Sequence, residues 1–156
     1  MKISAALASL VAAGFLALPL GATEPERVED LWLADRSRIF EASEVTLEHL
    51  QWIARPLVVF ANSPRDPDFI DQMEEITDGL ERLAERDVIV IVDTDPRGGS
   101  DLRTKLRPRG FMLVLIGKDG QIALRKPLPW TVREVSRSID KMPLRQREIH
   151  EGRIDG

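Results

Sequence analysis

The chain contains no cysteine. That absence removes disulfide exchange, thiol-based peroxide reduction, thiolate metal sites and iron–sulfur clusters, because each needs a cysteine sulfur as nucleophile or ligand. Histidine is almost as scarce, with only His49 and His150 among 156 residues. A phosphate-binding loop is missing too: Gly98-Gly99 is followed by Ser100 and Asp101 rather than by the Lys and Ser/Thr pair such a loop requires. There is no excess of positive charge, since 22 basic residues face 26 acidic ones. That balance provides no general attraction to nucleic acid or anionic lipid. No cofactor-binding motif stands out, and no internal repeat.

What is present begins with an apolar N-terminus. Lys2, an apolar run from Ile3 to Leu18 and the small-residue stretch ending at Ala22 have the three-part pattern of a secretory signal. The run is shorter than the roughly 20 residues of a membrane-spanning helix. Residues 1–22 are therefore expected to direct export, with cleavage after Ala22 and no membrane span afterwards. Leu20, two positions before the cleavage site, leaves an uncleaved anchor as the alternative. Losing Lys2 leaves 21 basic against 26 acidic residues, a net charge of −5. Export normally permits disulfides, so a cysteine-free exported domain must draw its stability from packing alone.

The remaining composition, 43% hydrophobic and 31% charged, is that of one globular domain. Residues 23–45 read as an irregular charged segment with scattered apolar anchors. Thr46 is placed to cap a short helix that Pro56 ends, and Leu57–Ala61 is a buried strand. Asp66, Pro67 and Asp68 are suited to the cap and first turn of a helix. Phe69, Met73, Ile76, Leu80 and Leu83 then recur on one face of it. Gly79 interrupts this pattern at a cost of about 1 kcal/mol relative to alanine. Val88–Val92, "VIVIV", reads as a strand buried on both faces, so strand, helix and strand form a right-handed unit with parallel strands. A helical turn near Leu102–Leu106 precedes two apolar runs joined at Asp119-Gly120, a hairpin signal. Thr131 and Glu134 form a capping box, with Trp130 and Val135 as the staple around it. Val132, Val135, Ile139 and Met142 line the last helix, and residues 143–156 read as a loose polar tail.

The order is β-α-β-short α-β-β-α, an α/β domain over residues 46–142 with a mixed central sheet of about four strands flanked by helices. The segments "WIARPLVVFA", "ERDVIVIV", "LVLIGKDGQIALR" and "IDKMPLRQREI" together resemble the cysteine-poor bacterial domain-of-unknown-function family 4174 over about Leu47 to Ile149. That family is similar to the thioredoxin-like, peroxiredoxin-related domains of some extracellular matrix and sushi-repeat proteins. The resemblance implies a thioredoxin-like fold in an exported setting; it brings no catalytic residues with it.

A thioredoxin-like enzyme holds its thiol in the loop after the first buried strand, where a helix N-terminus stabilises the thiolate. Here that loop is Asn62, Ser63, Pro64, Arg65, Asp66. Phe111 and Met112 occupy the approach to the third strand, where redox relatives place a cis proline or another special residue. Ser63 could replace a thiol only against the negative charge of Asp66, Asp68 and Asp71, and far in sequence from both histidines. The segment "DTDPRGGSD" resembles part of a calcium loop but has Arg97 at the fifth position and Thr104 at the twelfth; no metal site is expected. Charge is segregated: nine acidic and two basic residues from Asp66 to Asp87, eight basic and two acidic from Arg97 to Lys126.

Two readings follow. The preferred one is a redox-inactive binding or accessory module rather than an enzyme, whose segregated charge suits docking on a charged protein partner or self-association; an exported location makes nucleic acid an unsuitable partner. The other is a non-thiol enzyme or small-ligand protein using the Asn62 to Asp68 loop with Arg55, Arg65 or Lys118. The candidate contacts are Arg55, Asn62, Ser63, Arg65, Arg97, Arg103, Lys105, Arg107, Arg109 and Lys118.

Overall fold

A computed structural model describes residues 26–154; the expected signal segment lies outside the described residues. Five strands form one mixed sheet in the order β1-β3-β2-β4-β5. They are β1 (Ile39–Glu41), β2 (Arg55–Phe60), β3 (Val88–Asp93), β4 (Met112–Ile116) and β5 (Ile122–Lys126). The first three run parallel, and β4 and β5 are antiparallel to their neighbours.

Every residue of β2 and β3 is buried, as expected of strands covered on both faces. Their side chains alternate between two cores. Val58, Phe60, Ile89 and Ile91 face one, with Trp32, Leu50 and Leu102; Leu57, Val59, Val88 and Val90 face the other, with Ile76, Leu83 and Val135. Helices α1 (Val28–Ala34), α2 (Leu47–Leu50) and α5 (Asp101–Leu106) thus cover one side. Helices α3 (Pro67–Asp78), α4 (Leu80–Ala84) and α6 (Val132–Asp140) cover the other. Among the described residues no helix is long and apolar enough to cross a membrane.

Local chemistry accounts for most boundaries. Asp66 accepts from the Asp68 N–H (3.0 Å) and Pro67 opens α3. Thr131 accepts from the Glu134 N–H (3.2 Å), while Glu134 accepts from the Thr131 N–H (3.0 Å), which closes the expected capping box. Gly120, at φ +81°, sits in the β4–β5 turn. Pro56 lies inside β2, yet it breaks no ladder. Arg55 N–H donates on the β3 side, so the missing donor of Pro56 faces β4, where pairing starts only at Leu57.

Four expectations change. The segment expected to be irregular over 23–45 is ordered from residue 26 on: it supplies α1 and the edge strand β1, and Trp32 is fully buried. The sheet accordingly has five strands rather than four. Thr46 precedes α2 without a side-chain cap. The expected loose tail over 143–156 is helical in its described part, because Pro143–Ile154 form α7, with Pro143 opening this helix after α6 ends.

Gly79 divides the expected long helix into α3 and α4, and packing explains its presence. A Cβ there would lie 2.6 to 2.8 Å from the Val132 side chain. Helix propensity alone favours alanine, but the overlap with α6 reverses the sign. Gly79→Ala is expected to cost about 1–3 kcal/mol, read as a lower urea midpoint with an unchanged slope.

Candidate functional site

The end of the sheet where β2 and β3 begin holds an ionic cluster. Arg55 opens a strand that is otherwise apolar, and its side chain is 1% exposed. A buried guanidinium must be paired, and the partners come from two separated segments. Nη1 donates to the Arg86 carbonyl (2.9 Å), and Nη2 donates to both oxygens of Glu148 on α7 (3.0 and 3.1 Å). Lys118, in the β4–β5 turn, donates to Asp87 (2.7 Å) and pairs with Glu148 (2.9 Å). Arg36, after α1, pairs with Asp87 from the other side, and Arg145 reaches Glu148 (3.3 Å). Asp87 itself sits at φ +52°, a conformation that aspartate tolerates better than most residues.

Burial works against the charged forms of Asp87 and Glu148, but hydrogen bonds outweigh it. Lys118 and Arg36 hold the Asp87 carboxyl below its ordinary value, and Lys118 and Arg55 do the same for Glu148.

The opposite end of the sheet, where a thiol enzyme of this fold presents its chemistry, is closed by internal bonds. Asp93 is buried at the end of β3. It accepts from Ser100 Oγ (2.5 Å) and Arg103 Nε (2.8 Å). Arg103 Nη2 donates to the Ala61 carbonyl (2.5 Å) and the Asp93 carbonyl (3.0 Å). One guanidinium thus ties the ends of β2 and β3, in the crevice where open α/β sheets commonly take ligands. In the adjoining loop Ser63 Oγ accepts from the Arg65 N–H (3.1 Å), and among the described residues no base hydrogen-bonds this serine. Glu41 nearby has its carboxyl raised by partial burial and by repulsion from Glu44 and Asp93. No group of three or more metal-ligating side chains occurs among the described residues.

The ten expected contacts therefore fall into separate places. Arg55 and Lys118 do meet. Asn62, Ser63 and Arg65 lie at the other end of β2, about 20 Å away at 3.3 Å per residue, so the loop cannot form one site with Arg55 or Lys118. Arg103 leaves the basic surface to pair with Asp93, and Lys105 pairs with Glu48. Arg97, Arg107 and Arg109 are exposed and make no ion pair among the described residues. Asp87, Glu148, Arg36 and Arg145 carry no local sequence signal; the one clue is a lone arginine heading the run "RPLVVF".

A sheet of this order with the thiol position refilled defines a thioredoxin-like domain without thiol chemistry. A solved structure agrees on the fold. A reduced 2-Cys peroxiredoxin from Plasmodium vivax superposes with a TM-score of 0.51 at 14% identity, covering 69% of this chain and 85% of that one. Thioredoxin peroxidase I from Plasmodium yoelii gives a TM-score of 0.48 at 17% identity, covering 67% and 81%. Curated proteins show no match. The family model "Domain of unknown function (DUF4174)" matches residues 46–148, and the chain belongs to this family. The matched span ends at Glu148, the carboxylate that pairs with Arg55.

A carboxylate whose folded value lies below its unfolded one, about 4, adds stability above that range and loses it as pH falls through the lowered value. Stability should thus decline below about pH 5. Glu148→Gln is expected to lose about 3 kcal/mol at neutral pH, since Arg55 stays buried with its nearest carboxylate removed. It should also flatten the acid limb, both read from urea unfolding across pH.

Proposed function

We propose that the chain is an exported, redox-inactive thioredoxin-like module that docks a protein partner bearing acidic surface. One observation carries the reading. At the end of the sheet where thiol relatives react, the charged groups able to do chemistry are locked together as Asp93 and Arg103, while Arg97, Arg107 and Arg109 around it are exposed and unpaired among the described residues.

The topology supports placing these three arginines at one end. All lie in the segment that leaves β3 at Asp93 and enters β4 at Met112, and Met112 pairs with Phe60 at the end of β2. Exposed like charges held on a scaffold speed encounter with an oppositely charged surface and repel wrong partners. They do so without covalent chemistry, which suits a chain lacking cysteine.

Cross-linking in intact cells, followed by capture of the chain, tests this. A specific protein with an acidic surface should be recovered, less of it in high salt, and several-fold less with Arg97→Glu and Arg109→Glu combined. Capture unchanged by the double variant, or cross-links of the chain only to itself, would overturn the reading.

A further inference from the structure

Beyond that docking surface, and independent of it, lies a cleft of about 320 Å³ at the ionic end of the sheet, between Trp52, the β4–β5 turn and the junction of α6 with α7. A volume of this size is in the range of small-molecule sites. Three features of its walls are unexplained by folding alone.

The first is Trp52. Its side chain is among the most exposed large hydrophobic groups, at 64%, and its backbone sits at φ +66°. A bulky residue in the left-handed region is strained, and the Trp52 N–H donates to the Lys118 carbonyl (2.7 Å), so the conformation is fixed against the turn. A glycine would satisfy that backbone better; a tryptophan there lines the cleft at a cost to the fold.

The second is Arg55, which lines the inner wall. Although fully buried, its Nε has no hydrogen-bond partner, and an orphaned donor in that state is costly. The third is charge. Arg36, Arg55, Lys118 and Arg145 draw on three carboxylates among the described residues, Asp87, Glu148 and Asp140. Arg147 also lines the cleft and makes no ion pair among the described residues. The first turn of the twelve-residue α7 borders the same space, and such a turn favours an anion. The rest of the wall includes the apolar Met142, Leu144 and Ala123, with Asp119 and Gln121 at the turn as its other polar members.

We infer that this cleft binds a small aromatic carboxylate, with the ring against Trp52 and the carboxylate among Arg147, Lys118 and the start of α7. The apolar wall takes the body of the molecule, and Arg147, the lining cation that makes no ion pair among the described residues, selects its charge.

The test uses the full chain and 1-naphthylacetate, compared with its uncharged amide, by calorimetry and thermal melting. Naphthylacetate should bind and raise the melting temperature, and the amide should bind at least tenfold more weakly. Trp52→Gly should melt at the same or a higher temperature than the parent, because strain is relieved, yet lose about tenfold in affinity. Arg147→Gln, an exposed change that leaves the buried cluster intact, should erase the preference for the acid over the amide. No binding of naphthylacetate at millimolar concentration overturns the inference, as does equal binding of the amide or full affinity in Trp52→Gly. None of these results touches Arg97 or Arg109, so the docking reading stands or falls separately.

Discussion

A guanidinium at the head of the central strand organises this molecule. Arg55 is removed from water at the start of β2, and a charge in that position must be met by fixed partners. Its partners are the carbonyl of Arg86 and the carboxylate of Glu148. These come from the connection before β3 and from the last helix, so one side chain determines where β3 starts, where α7 lies and how the β4–β5 turn approaches through Lys118. Arg36 extends the cluster to the N-terminal segment through Asp87. The apolar cores make the sheet stable; the ionic cluster makes its lower end unique.

The other end of the sheet repeats the device with a single pair. Asp93 and Arg103 join the ends of the two central strands and occupy the crevice that parallel strands leave open. A fold often used for thiol chemistry is retained here with that crevice converted to structure. What the surface then offers differs at its two ends. One carries exposed arginines on a long connection; the other carries an aromatic face beside a cation-rich cleft.

Much of this was legible from local pattern. Asp66, Thr131 with Glu134, the β-branched run of β3 and the Asp119-Gly120 turn each act within a few residues, and each element formed where its signal lies. The failures share a cause. Helix α1 and strand β1 exist because Trp32 and Phe40 find a core assembled by later residues, and α7 exists because Glu148 meets an arginine 93 positions earlier. No window of sequence contains such a pair. Gly79 shows the same limit in one atom: its propensity is local, but the Val132 methyls that forbid a side chain are 53 positions away. The expectation that linked the Asn62 loop to Arg55 failed differently, since a six-residue strand between them already separated the two.

The Arg55 to Glu148 pair also bears on how the chain can be made. Synthesis proceeds from the N-terminus, so β2, β3 and the hairpin all exist before the carboxylate that completes the cluster has been added. Until the last dozen residues are available, the central strand carries a charge with nothing to neutralise it on one side, and burying it remains unfavourable. A sheet formed before Glu148 is available carries that uncompensated cost, which ties a contact of high sequence separation to the timing of folding. A chain cut short before α7 would retain every strand and carry a buried guanidinium without its nearest carboxylate.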